Sequence, residues 1–206
     1  HDPRPPLAPP RGVLGRRVVV RALDDGGDGE GAVSAAKTVG ESVRKGETVL
    51  GVVGHYNSGA TGPALDNVYK DLDLVVVTPG SSNPTLTQKG YSRFFRVVST
   101  DDIQGPVDAR KALSLGWKRI AVLHTDNLYA RGLAEAFTGE LRQRGVEPVV
   151  DLEMKYNNLA VFQRDLPGNV SKALGLNPDG IFFAGDYPEG IPLLAALRTA
   201  GYQGGF

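Results

Sequence analysis

119-RIAVLHTDNLYARGLAEAF-137 holds one complete unit of the fold. The nearly unbroken apolar run RIAVLH gives way to the polar TDN, and a helical pattern then extends from Tyr129 to Arg144. A short, continuously apolar run fits a strand buried on both faces, as strands of parallel sheets are. Runs of the same kind stand at 17–23 (RVVVRAL), 48–53 (TVLGVV), 74–78 (LVVVT), 147–152 (EPVVDL) and 180–184 (GIFFA). Helical patterns lie between them at 31–44, with Val33, Ala36, Val39 and Val43 on one stripe, and at 64–70, 105–114 and 188–200. Pro106 falls in the first turn of the 105–114 pattern. Residues 155–167 read as a broken or late-starting helix, because Pro167 and Gly168 interrupt the spacing of Phe162, Leu166 and Val170. Strand and helix alternate, which predicts an α/β fold of doubly wound parallel sheets joined by right-handed crossovers. The polar stretch STDDIQ at 99–104 separates two series of units. Two lobes are therefore expected, at 14–101 and 102–206, behind a flexible proline-rich leader at 1–13.

Composition narrows the functional classes. The chain has 206 residues, 41% hydrophobic and 22% charged, as expected of a globular protein. Twenty-three basic residues balance twenty-three acidic ones. That balance, with no basic stripe, argues against nucleic acid as a partner. No apolar run approaches the roughly 20 residues of a membrane-spanning helix, and the first dozen residues have no hydrophobic signal region. With no cysteine, thiolate metal sites and disulfides are excluded. No cofactor is expected.

In an open α/β sheet, ligands bind beyond the carboxyl ends of the strands, where loops enter helix amino termini. The run TVLGVV leads into His55-Tyr56-Asn57-Ser58-Gly59-Ala60-Thr61, and LVVVT leads into Pro79-Gly80-Ser81-Ser82-Asn83-Pro84. Ser58 and Thr61 offer hydroxyls beside a helix start that favours an anion such as a carboxylate. The same hydroxyls suit helix capping, and the second loop also suits a plain turn. In the second half, Tyr129 and the Asp186–Tyr187 pair follow strands and are placed to close over a ligand between the lobes, although Asp186 also suits an amino-terminal cap.

These loops carry a resemblance. The pattern GH-x-x-S-x-x-T-x-PA at 54–64, then TP-x-x-x-x-P-x-LT at 78–87, RIAVLHTDNLYARGLAEAF and FFAGDYPEG together resemble the Leu/Ile/Val-type periplasmic amino-acid binding proteins of ABC transporters, two-lobed solute-binding proteins of class I. The similarity runs from about residue 14 to 206. It implies an amino-acid ligand whose carboxylate meets the Ser58 hydroxyl and nearby N–H groups, with the Gly80 carbonyl, Ser81 and Ser82 around its carboxylate and α-ammonium. It further implies that Tyr129 covers the ligand from the opposite lobe, and that the protein works in the periplasm or cell envelope with a membrane permease. Asp186 stands where the best-known members carry tyrosine, which favours a ligand with an additional amine or hydroxyl. The family also has a first strand before the segment matching 17–23 and further crossovers after 206, so a chain truncated at both ends is expected. Loss of those elements would bare Val18, Val20, Val52, Val75 and Val77, and a homo-oligomer is expected to cover them. The alternative function is a self-associating structural fragment that no longer binds ligand.

Two other chemistries are weaker. Ser58, His55 or His124, and Asp24, Asp25, Asp126 or Asp186 are the residue types of a hydrolase triad, but Ser58 lacks the G-x-S-x-G elbow and no spacing brings it a base. No enzyme activity is expected. The acidic run at 24–30 (DDGGDGE) lacks the spacing of an EF-hand and reads as a solvated turn.

Overall fold

Strand β4 (Ile120–Thr125) is buried along its whole length in a computed structural model that describes residues 15–156 and 158–206. The leader expected at 1–13 lies outside the described residues. Alternate β4 side chains enter two cores. Ala121 and Leu123 pack with Phe162, Leu166, Ile181, Leu193 and Leu197, whereas Ile120 and Val122 pack with Ala109, Leu133, Phe137 and Leu141. A strand covered on both faces needs apolar residues at every position, and this is why the sequence shows no alternation there. β5 (Val150–Met154) and β6 (Gly180–Ala184) flank β4 in parallel, in the order β5-β4-β6. Helices α4 (Asp101–Ser114) and α5 (Leu128–Gln143) cover one face, and α6 (Leu159–Leu174) and α7 (Tyr187–Thr199) the other.

The first half builds a second parallel sheet from β1 (Val52–Val53), β2 (Val76–Thr78) and β3 (Phe94–Arg96), ordered β1-β2-β3. Helices α1 (Gly29–Arg44), α2 (Ser58–Asn67) and the single turn α3 (Thr85–Gln88) accompany it. Its core is made largely of small residues, Ala32, Ala36, Ala60 and Ala64, around Leu65, Val76, Leu86 and Phe94. The architecture is α/β with parallel sheets, as the alternation of runs implied.

Several expectations need correction. Residues 17–23 form no strand: Val19 and Val20 are 70% and 77% exposed, and an apolar run becomes a strand only when a neighbouring edge accepts it. The run at 48–53 contributes just two residues to its sheet, whereas β3 comes from RFFRVV at 93–98, outside the expected strand runs. Helix α2 starts at Ser58, six residues before the expected 64, because Ser58, Ala60, Thr61 and Gly62 are buried and tertiary packing overrides the poor helix propensity of Ser58, Thr61 and the two glycines. α4 starts at Asp101 and not at 105, with Asp102 favourably placed in its first turn. Pro106 is consequently inside that helix. Finally, α6 is one continuous helix through Pro167 and Gly168. Asn158 caps it through a 3.0 Å bond from the Val161 N–H, and the buried stripe Phe162, Leu166, Val170 and Ala173 outweighs the lost Pro167 amide.

Phe137 is fully buried and stacks on Phe182 with ring centroids 3.7 Å apart. Phe137→Ala is expected to lower the unfolding free energy by about 3–5 kcal/mol, measured by urea denaturation.

Candidate functional site

The carboxyl ends of β1 and β2 are drawn together by a dense set of hydroxyl contacts. The carbonyl of His55 accepts from Thr78 Oγ1 at 2.6 Å and lies 3.2 Å from Thr61 Oγ1 and 3.1 Å from Ser81 Oγ. Ser81 Oγ is also 2.5 Å from Thr61 Oγ1 and 3.0 Å from the Tyr56 carbonyl. Arg96, from β3, donates through Nη1 to the carbonyls of Ser81 and Asn83 at 3.1 and 3.0 Å. The 79–84 loop is therefore held from beneath by a charged side chain. The His55 ring is buried between Asp25 and Tyr69: Nδ1–H donates to Asp25 Oδ2 at 2.7 Å, which leaves Nε2 to accept from the Tyr69 hydroxyl at 3.3 Å. Burial, and secondarily the charge of Asp25, push the Tyr69 hydroxyl up to about 12.

The expected site residues fall into two groups. Ser58 is the first residue of α2, 1% exposed, and its Oγ accepts from the Asn83 N–H at 3.1 Å, so its own proton is left to donate. Gly80 lies under the exposed ring of Tyr56, where a Cβ would stand 2.7 Å from two ring atoms. Ser82 is half-buried, and its carbonyl accepts from the Asp101 N–H at 3.1 Å. Ser81 differs, because its hydroxyl points into the Thr61–His55–Tyr56 cluster and braces the loop. In the second half, Tyr129 is the second residue of α5 and Asp186 precedes α7. Burial and the charges of Asp101, Asp186 and Asp108 push the Tyr129 hydroxyl up to about 12, with Tyr56 contributing least. Tyr129 thus sits among groups from both halves of the chain.

Asn83 links the halves directly, a role not recognised from the sequence. It is 2% exposed, and its Nδ2 donates to the Leu128 carbonyl at 2.9 Å, while its Oδ1 accepts from the Thr85 N–H and hydroxyl at 3.0 and 2.5 Å. A Cβ on Gly132 would come within 2.4 Å of Asn83 Nδ2, so only glycine at 132 allows this approach. Gly62 likewise sits against Leu128. The one legible signal was a lone asparagine in a serine-rich loop, which a turn explains equally well. Asp101 was also missed as a contact. It is fully buried, and neither carboxylate oxygen meets a partner in hydrogen-bond geometry.

The hydrolase arrangement is not formed. His55 engages Asp25 and Tyr69 instead of Ser58, and His124 lies 2.9 Å from the Thr125 carbonyl through Nδ1 and 3.4 Å from Asp151 through Nε2. In the 24–30 run, Asp24, Asp25 and Asp28 accept from the N–H groups of Gly26, Gly27 and Gly31 at 2.9, 2.9 and 2.8 Å. These carboxylates organise a turn and cap α1. A surface cavity of about 500 Å³ lined by Tyr69, Leu74, Tyr91 and Phe94 opens at the amino ends of β2 and β3, the end of the sheet opposite to ligand loops.

Paired βα units with hydroxyl loops at their carboxyl ends match a known design, and residues 10–206 fit the periplasmic binding protein family model. The chain belongs to this family. It is 31% identical over 196 residues, 95% of its length, to an amino acid binding protein of Pseudomonas aeruginosa, and 30% identical over 93% of its length to a leucine-specific-binding protein of Salmonella typhimurium. It spans 50% and 49% of those two proteins, about half the length of the curated relatives it matches. Among solved structures, a leucine binding protein from Thermotoga maritima superposes with a TM-score of 0.75 at 30% identity, over 88% of this chain and 49% of that one. An isoleucine complex of a branched-chain amino acid transporter substrate binding protein from Streptococcus pneumoniae gives 0.77 at 25% identity, over 95% and 53%. These relatives are binding proteins, not enzymes.

Burial raises the Asp101 carboxyl above its ordinary 3.8, and Asp102 adds to the shift, while the nearby Ser82 hydroxyl and Arg96 oppose it. The folded state therefore favours the protonated form, and stability present below pH 3.8 is lost as pH rises through the elevated folded value. Asp101→Asn is expected to stabilise the ligand-free chain at pH 7 by about 1–3 kcal/mol. The gain should shrink below pH 4, as read from denaturant unfolding at both pH values.

Proposed function

We propose that the chain is an extracytoplasmic solute-binding protein of an ABC transporter that holds an amino acid between two lobes, residues 14–101 and 102–206, for delivery to a membrane permease. It works in the periplasm or cell envelope. The observation that carries this reading is the state of Ser58. Its oxygen is engaged by the Asn83 N–H while its proton meets no acceptor among the described residues, at the mouth of a helix whose Asn57 side chain donates to Gly27 and provides no cap. A donor hydroxyl beside free helix N–H groups is suited to a carboxylate. On this reading Tyr129 and Asp186 meet the ligand from the second lobe, and Gly80 and Ser82 border it in the first. Ser81 supports the loop from inside. Relatives whose names specify leucine, or leucine, isoleucine and valine, place branched-chain amino acids among the first ligands to test.

Titration calorimetry with L-leucine, L-isoleucine, L-threonine, L-lysine and L-arginine tests the reading. At least one is expected to bind, and Ser58→Ala to weaken it by about 1.5–3 kcal/mol, roughly ten- to hundredfold. Unchanged affinity in that variant would remove Ser58 from the site.

One observation favours a second reading, self-association. Leu50, Val53 and Val97 are 72%, 84% and 72% exposed, as are Val19 and Val20 at 70% and 77%, and among the described residues β1 pairs with β2 alone. Exposed apolar side chains at an open sheet edge recruit further strands. A homo-oligomeric mass in light scattering at micromolar concentration is the expected result, and a monomeric mass with a concentration-independent unfolding midpoint rejects it.

A further inference from the structure

We infer that the ligand carries a second positive charge on its side chain, received by Asp186 with Glu189 behind it. This rests on the reading that the cleft takes an amino acid, and it names which kind. Asp186 occupies the N-cap position of α7, where a carboxylate ordinarily turns back to accept from the helix N–H groups, yet its side chain makes no cap bond. It is half-buried and has no ion pair among the described residues. Glu189 follows in the first turn of the same helix, only 4% exposed, and its Oε2 has no hydrogen-bond partner. Burial raises the Glu189 carboxyl above its ordinary value and the charge of Asp186 adds to it, while main-chain N–H groups of the helix start and the Tyr156 hydroxyl oppose the rise. Burial alone raises Asp186.

The neighbouring cations are already committed. Lys155 lies 2.9 Å from Glu153 and 3.4 Å from Asp126, and Arg131 bonds Glu153 at 2.6 Å. The described residues contain no group of three or more His, Cys, Asp or Glu side chains that could hold a metal ion. A buried and a half-buried carboxylate in one helix turn without a cation are costly, and a partner that arrives with the ligand removes that cost. An aliphatic side chain would leave both unpaired. An ammonium or guanidinium at the end of a side chain would pair them, while the α-carboxylate remains at the neutral donors of the first lobe, Ser58 and the α2 N–H groups.

The test is titration calorimetry of the whole chain with L-lysine, L-arginine and L-leucine, in the native protein and in Asp186→Asn, a substitution that keeps a good N-cap residue. Lysine or arginine is expected to bind about tenfold or more tighter than leucine. Asp186→Asn is expected to remove about tenfold or more of the cationic ligand's affinity and to leave leucine within about threefold. If Asp186→Asn does not fold, judged by its circular dichroism, Glu189→Gln is expected to give the same selective loss. Leucine binding as tightly as the cationic ligands overturns the second charge and leaves the amino-acid reading intact. Equal losses for both classes in the variant assign Asp186 to the α-ammonium and overturn it too. No binding of any of the three overturns both readings.

Discussion

One carbonyl oxygen, that of His55, sets the arrangement on which the candidate site depends. Three hydroxyls from three elements converge on it: Thr78 at the end of β2, Thr61 in α2 and Ser81 in the following loop. All four residues are buried. Buried polar groups are tolerated only when their hydrogen bonds are met, so this cluster either forms as a unit or leaves several groups unpaired. Once formed, it fixes the start of α2 relative to the 79–84 loop, and the Ser58–Asn83 bond follows from that placement. The ring of His55 adds a further tie to Asp25 and Tyr69, which binds the turn before α1 into the same structure.

The same constraint explains which parts of the site were legible in the sequence. Strand ends followed by Gly, Ser and Thr announce loops that come close to something, and the fold class places those loops on one side of the sheet. What the letters do not distinguish is a hydroxyl turned toward a ligand from one turned inward. Ser58, Ser81 and Ser82 are the same residue type in similar loops, yet Ser81 braces the backbone while Ser58 keeps a free proton. The difference arises from which carbonyls lie beneath each hydroxyl, and that is a property of the packed layers. Asn83 escaped for the same reason, because its partner Leu128 is 45 positions away and the contact exists only where Gly132 allows two helices and a loop to meet.

The fold itself was legible where burial is two-sided. β4 is apolar because two cores claim alternate residues, and β6 coincides with its apolar run, GIFFA. Legibility failed where the environment is one-sided or open. Residues 17–23 carry a strand composition without a strand, since a ladder needs a partner that composition cannot supply. The helices erred in the opposite direction. α2 and α4 begin on residues with weak helix propensity, because their first turns pack against the other half of the chain and are stabilised by burial and by backbone bonds such as Asp101 N–H to the Ser82 carbonyl at 3.1 Å.

The two walls of the candidate site differ in kind, and the difference has a physical origin in how each is supported. The wall from the first half of the chain is made of neutral hydroxyls and main-chain groups, most of which bond one another, with the Ser58 proton left over for a guest. The second-lobe wall contains Asp186 and Glu189, together with Tyr129 and Tyr156, whose hydroxyls are surrounded by acidic charge. Asp101 is a further buried carboxyl, where the chain passes from one sheet to the other. Electrostatic energy beside buried carboxylates falls when a cation enters and rises when an apolar or anionic group is placed against them. On the proposed reading, a positive group on the ligand therefore offsets the cost of burying Asp186 and Glu189, a cost that the neutral groups of the opposite wall do not carry.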